Sequence, residues 1–169
     1  MDTELDLAML VLRIALGGML IVHGANKIFG SGGLTGTAGW FESLGLRPGR
    51  LHAALAAYTE IGAGALLLLG LLTPVASAAF IGLMLVAALT DHRGKGYFVF
   101  KGGWEYTLLV GMVAVVPALV GPGRWSVDHV LGLEFFGIGW AGLSVVVGVL
   151  AAAGLMAVFY RPQSQATVS

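Results

Sequence analysis

Glu60 stands in the middle of residues 51–72, an apolar run long enough to cross a bilayer, with no other charge inside that run. A lone carboxylate there costs roughly 2.5–3.5 kcal/mol on insertion scales, so a partner must compensate it. His23, Lys27, Asp91, His92, Lys95 and Glu105 also intrude on, or border, apolar segments. His23 and Lys27 are four residues apart and share a helix face. If successive runs cross the membrane in alternating directions, these groups gather near one face, with Glu60 about 13 Å deep at 1.5 Å per residue. A pocket drawn from His23, Asn26, Lys27, Glu60, His92 and Glu105 could hydrogen-bond a ligand through His23 or Lys27. It could relay a proton through Glu60 or Glu105. The same residues could instead tie helices together, because a polar side chain in hydrocarbon seeks any partner across a bundle.

The elements that must position them follow from composition. The chain of 169 residues is 57% hydrophobic and 11% charged, with a mean hydropathy of +0.90, outside the range of ordinary soluble domains. Five apolar runs, at 7–29, 51–72, 75–89, 103–120 and 138–160, approach or match the length that a hydrocarbon core of roughly 30 Å demands. Each is expected to be a helix, since a lipid-exposed backbone must satisfy itself internally and continuous runs lack the alternation of a barrel. The fold class is therefore all-α, a polytopic transmembrane helical bundle in the lipid bilayer.

The connections carry their own signals. Residues 37–44 place Trp40, Phe41 and Leu44 on one side of a helical projection, either a short interfacial helix or an ordered loop. Only a few residues around Pro74 separate the second and third runs, which predicts a tight antiparallel hairpin with proline opening its second helix. Residues 91–98 form a charged, glycine-bearing loop, and Trp104, Tyr106 and Tyr97 read as an aromatic belt. Gly121-Pro122-Gly123 ends the fourth run, after which Ser126 can cap a short helix. The glycines at 17, 18, 24, 62 and 64 suit close helix packing.

The acidic amino terminus, with Asp2, Glu4 and Asp6, lacks the basic region of a secretory signal, so the first run reads as a retained span. Lys27, Arg47, Arg50, Arg93, Lys95, Lys101 and Arg161 fall on one face of a five-span topology, with Arg124 and Arg13 toward the other. The positive-inside rule then sets the amino terminus outside and the carboxyl terminus in the cytoplasm. That topology already explains the charge pattern and leaves no basic surface for nucleic acid. With no cysteine in the chain, disulfides, thiolate ligands and a dithiol relay are excluded. His23, Glu60, His92 and Glu105 have metal-ligand chemistry but not the Glu-x-x-His spacing of di-iron bundles, and no metal site is expected. Phosphate loops and nucleophile elbows are absent. A small channel or transporter would require a homo-oligomer, since one chain offers few spans.

Several motifs together resemble the DoxX family of small bacterial membrane proteins. They are His23-Gly24-Ala25-Asn26-Lys27-Ile28-Phe29-Gly30, Gly45-Leu46-Arg47-Pro48, Glu60 with Gly62-Ala63-Gly64, and Leu69-Gly70-Leu71-Leu72-Thr73-Pro74. Asp91-His92, Gly102-Gly103-Trp104-Glu105-Tyr106 and Gly121-Pro122-Gly123-Arg124-Trp125-Ser126-Val127-Asp128 continue the series. The resemblance covers about residues 7–132. It implies a four-helix core at 1–132, to which this chain adds a further transmembrane helix within 133–161 and a polar tail at 162–169. It also implies a plasma-membrane subunit or scaffold of an oxidoreductase assembly, more a non-catalytic partner of redox enzymes than an enzyme. Family namesakes are associated with quinol oxidation, which makes quinone the implied ligand for the Glu60 cluster. The rival readings are a quinone-reactive subunit acting through Glu60, His23 and Lys27, and an assembly chaperone or small transporter.

Overall fold

A computed structural model describes residues 3–162. Asp2 and nearly all of the expected polar tail, residues 163–169, lie outside the described residues. Helix α1 runs Thr3–Phe29, with Glu4 and Asp6 in its first turn and Lys27 in its last, the charge order that its dipole favours. At 27 residues it is about 40 Å long, enough to cross the hydrocarbon and reach the headgroup layers at both ends. The connection after it contains a helix, α2, over Gly33–Ser43, which resolves the choice between helix and loop. Helix α3 is Gly49–Leu69 and ends at Gly70, whose φ of 63° is the left-handed cap that glycine adopts without penalty. Helix α4, Thr73–Leu89, starts immediately with Pro74 in its first turn, giving the expected hairpin.

The fourth apolar run is broken into α5, Glu105–Val113, and α6, Val115–Val120. Pro117 accounts for the break, since its ring excludes a bond to the carbonyl four residues back. A single turn, α7, covers Val127–Val130, and the Ser126 hydroxyl accepts from the His129 N–H as the expected cap. Helix α8, Ile138–Phe159, covers the fifth apolar run and is long and apolar enough to cross a membrane. All five apolar runs are therefore helical, three of them long enough to cross a membrane alone. The described residues contain no β-strand, only one isolated bridge.

Helix α4 is the hub, touching α3, α5, α6 and α8, while α1 lies along α3 and α2 crosses the end of that pair. Leu20, Leu67, Phe80 and Val110 form the apolar centre. Backbone contact sets the α1–α3 spacing. A Cβ on Gly17 would fall 2.6 Å from the Gly64 carbonyl oxygen, and one on Gly24 the same distance from that of Ala57. Gly18 and Gly62 would meet nothing within 4 Å, so they do not share this packing role.

The ends of the bundle are fastened differently. At the amino-terminal end of α1, Arg13 is 2% exposed. Its guanidinium donates to the carbonyls of Leu67 (3.1 Å), Leu68 (2.8 Å), Pro122 (2.7 Å) and Trp125 (3.0 Å). Of these, Leu68 O is a terminal carbonyl of α3 without a backbone donor, whereas Leu67 O also accepts from Gly70 N at 3.0 Å. Asp128 accepts from Leu72 N (2.8 Å), Thr73 N (3.1 Å) and Thr73 Oγ1 (2.7 Å), capping α4 from across the bundle. At the other end, Arg47 N donates to Phe159 O (3.1 Å) and Arg161 N to Gly45 O (2.7 Å) around an antiparallel Leu46–Tyr160 bridge. This strap ties the carboxyl end of α8 to the α2–α3 connection.

Candidate functional site

Glu60 lies 11 residues into α3, about 16 Å along the helix and slightly deeper than the apolar run alone implied. Its partner is Lys27. The ammonium sits astride the carboxylate, 2.8 Å from Oε1 and 2.6 Å from Oε2, with the two side chains 14% and 10% exposed. A lysine two residues from a helix end would ordinarily extend toward water. Here the tight α1–α3 approach at Gly24 brings the carboxylate within reach, and Lys27 turns inward.

The pair forms one wall of a cavity of about 420 Å³ enclosed by α1, α2, α3, α4, α5 and α8. That volume falls within the range of small-molecule pockets. The lining is predominantly aliphatic, including Leu20, Leu55, Leu83 and Leu155. Trp40 and Phe41 of α2, with Leu44 at its carboxyl cap, roof it at the aqueous end, which is the side that their spacing grouped together. Polar groups enter at two levels. Lys27, Glu60, His23 and Tyr106 lie at the deep one; His52, Thr90, Asp91 and His92 lie nearer the aqueous end.

Four of the six residues singled out from sequence therefore meet at the cavity: His23, Lys27, Glu60 and His92. His92 Nδ1 is 2.6 Å from Gly102 O. An acceptor carbonyl at that distance requires the hydrogen on Nδ1. Asn26 and Glu105 are not on the cavity wall. Asn26 projects to the exposed side of α1, because it lies one residue from Lys27 and so points about 100° away around the helix. Glu105 opens α5, where its Oε2 accepts from Val99 N at 2.9 Å and orders the preceding turn.

Two cavity residues escaped the sequence reading. Tyr106 is an inward group rather than part of an aromatic belt: its hydroxyl donates to Met19 Sδ and it lines the cavity beside Glu60. His52 is 2% exposed, its ring packs edge-on against Phe159 at 4.9 Å, and its Nε2 has no hydrogen-bond partner among the described residues. The signal for His52 was available, since residues 52, 56 and 60 follow the i, i+4, i+8 spacing of one helix face. Arg13, counted from sequence as a charge toward the outer face, is instead consumed by backbone carbonyls. Among the described residues no group of three or more His, Cys, Asp or Glu side chains is placed to hold a metal ion.

Comparison with known proteins places this geometry in context. The DoxX family profile matches residues 8–93, which include Lys27, Glu60 and the α3–α4 hairpin. The chain is 28% identical over 134 residues to Rv3486, an uncharacterised membrane protein of Mycobacterium tuberculosis, covering 72% of this chain and 80% of that one. It is 32% identical over 110 residues to CatD of Bacillus subtilis, provisionally named an oxidoreductase, covering 65% and 78%. It is 29% identical over 130 residues to the inner membrane protein YqjF of Escherichia coli, covering 77% and 96%. No solved structure matches the chain at a comparable level.

Proposed function

The chain belongs to the DoxX family of membrane proteins, and on that premise we propose that it is a non-catalytic membrane subunit of an oxidoreductase assembly that holds a quinone in its central cavity. The observation that carries this reading is the Lys27–Glu60 pair, buried beside an apolar cavity of ligand size. A quinone matches such a site in kind: an apolar ring with carbonyl acceptors that an ammonium can hydrogen-bond. Lys27 has three N–H donors, and Glu60 accounts for two contacts, so one donor remains to meet a carbonyl. Tyr106 and His23 stand beside it, with His92 and His52 toward the aqueous end. The provisional naming of CatD as an oxidoreductase supports the redox association. A redox-enzyme partner supplies the electrons in this reading, since the chain has no cysteine.

The rival, a quinone-reactive subunit, draws on one specific observation. His23 lines the same cavity as Glu60, which puts an imidazole able to give up or take a proton at neutral pH where a quinone would be reduced. Native mass spectrometry of protein extracted gently from its own membrane separates the readings. A quinone-sized adduct in wild type that disappears in Glu60→Gln supports the site. Protein partners retained by both forms support the subunit role, whereas turnover abolished by His23→Gln with quinone still bound supports the rival. An adduct absent from both forms refutes quinone binding.

We further assign the protein to the plasma membrane with its amino terminus outside. Seven of the nine Lys and Arg residues lie at the strap end, and the burial of Arg13 leaves Arg124 alone at the other. A Lys95→Cys variant in intact cells should resist an impermeant maleimide; labelling from outside overturns this orientation.

A further inference from the structure

The way into the cavity is legible from which helices fail to meet. Helices α3 and α8 both line it, and both pack on α4, yet they share no extended contact with one another. The slot between them has α4 as its back wall, with the small residues Ala78 and Gly82, and it is flanked by Ala56 of α3 and Ala151 of α8. Leu55 and Ala151 both line the cavity and are both exposed on the outer surface of the bundle. The cavity therefore reaches that surface between these two helices.

The level of this opening decides what can use it. Leu55 is six residues from the start of α3 and Ala151 eight from the end of α8, about 9 and 12 Å from the helix ends at the same side of the bundle. Headgroup layers are about 5–7 Å thick, so both positions lie at hydrocarbon depth. Nearer the water, the slot is shut by the strap joining Gly45–Arg47 to Phe159–Arg161, under which Phe159 covers His52. Toward the other face, Ser144 of α8 bonds the Pro74 carbonyl at 2.9 Å and holds α8 against the start of α4. The result is a window shut on the aqueous side by the strap and open to lipid at hydrocarbon depth.

We infer that the ligand of the Lys27–Glu60 site is a membrane-dissolved amphiphile that enters between α3 and α8, its compact polar head at the ion pair and its apolar tail lying in the window beside Ala56 and Ala151. This rests on the quinone-site reading for the head and adds the tail and the route. The small side chains along the slot leave width for a hydrocarbon chain, and no charged side chain lines its walls. A head without a tail has the separate aqueous approach beside Asp91 and His92.

The test uses full-length protein in lipid nanodiscs and two probes: a tail-less dimethoxy-methyl-benzoquinone and the same head bearing a decyl chain. Ala151→Phe fills the window, and Ala153→Phe places the same bulk on the exposed side of α8 away from the cavity. We expect Ala151→Phe to weaken decyl-quinone binding by about tenfold or more, the scale at which a few methylenes are excluded from an apolar slot. It should leave the tail-less head within about twofold, and Ala153→Phe should leave both unchanged. Equal loss of both probes in Ala151→Phe and in the milder Ala151→Leu, or loss of neither, overturns the window while leaving the quinone site standing. Failure of wild-type protein to bind either probe overturns the functional reading and the inference with it.

Discussion

Replacing Lys27 by methionine removes every hydrogen bond that the Glu60 carboxylate makes among the described residues, leaving a side chain 10% exposed about 16 Å into α3. Two outcomes bound the loss. If the carboxylate stays ionised, it becomes a buried charge stripped of its partner, which destabilises a fold by about 3–5 kcal/mol. If it is neutralised at pH 7 from an ordinary carboxylate value near 4.3, the proton uptake costs about 1.4 kcal/mol per pH unit, or about 3.7 kcal/mol. Either route gives a loss of about 4 kcal/mol for Lys27→Met. Glu60→Gln should lose only about 1–2 kcal/mol, because the lysine stem is near the end of α1 and can swing its ammonium to the headgroups. The double variant should resemble Glu60→Gln. Unfolding in mixed micelles with increasing dodecyl sulfate, followed by near-ultraviolet circular dichroism, measures all three. On the neutral route, Lys27→Met gains about 1.4 kcal/mol relative to the double variant for each pH unit lowered from neutrality, since its folded state then binds the extra proton. A Lys27→Met protein within about 1 kcal/mol of wild type, well below the loss expected for a broken buried pair, refutes the reasoning. So does a double variant less stable than Lys27→Met.

At the opposite end, Asp128→Asn keeps the shape but removes the charge from a side chain that accepts from Leu72 N, Thr73 N and Thr73 Oγ1. It should lower unfolding free energy in the same assay by about 2–3 kcal/mol, the worth of hydrogen bonds to a charged acceptor. Gly24→Val would force a Cβ to 2.6 Å from Ala57 O, separating α1 from α3 at a loss of about 1–3 kcal/mol. Gly18→Val, which meets nothing within 4 Å, should stay within about 0.5 kcal/mol of wild type. In this cysteine-free chain, Leu46→Cys with Tyr160→Cys should form a cross-link under mild oxidant. Bridged antiparallel partners lie about 4.5–5.5 Å apart at Cα, inside the disulfide range. A mobility shift on gels reads the cross-link, and its absence refutes the strap.

The long elements were legible because hydropathy acts on every residue of a span: five apolar runs gave helices, three of them long enough to cross a membrane, and Pro74 marked the hairpin. Glu60 was legible for the complementary reason, as one residue that violates its surroundings and so demands a partner. Which partner it takes was not, because His23, Lys27, Asp91, His92, Lys95 and Glu105 all stand as candidates in a one-dimensional reading. The choice of Lys27 depends on the closeness of α1 and α3, set at Gly17, Gly24 and Gly64 by backbone contacts that no hydropathy scale registers. The role of Arg13 was hidden for a related reason. Its sequence signal is a charge near a span end, but its role is fixed by carbonyls from residues 54 to 112 positions away. Tyr106 was assigned to a belt because aromatic belts are defined by depth alone, whereas direction around α5 turns its hydroxyl inward.

Two of the buried ionic clusters of this bundle differ in what they leave unspent. Arg13 can donate five hydrogen bonds and places four on backbone carbonyls. Asp128 takes three donors from a single turn of chain. A cluster so nearly saturated, and clamped on main-chain atoms that cannot move independently of their helices, has little capacity left for a ligand; its chemistry is that of a rivet. The Lys27–Glu60 pair is built from side chains alone. It leaves one ammonium donor over, stands beside a tyrosine hydroxyl and a histidine, and faces a volume that the apolar core does not fill. A pair required only to hold α1 to α3 would gain from being packed over, since aliphatic side chains of similar size often replace buried ion pairs without loss of stability. That a cavity of about 420 Å³ remains beside it, unfilled by the aliphatic side chains that line it, favours a site that binds over one that only fastens.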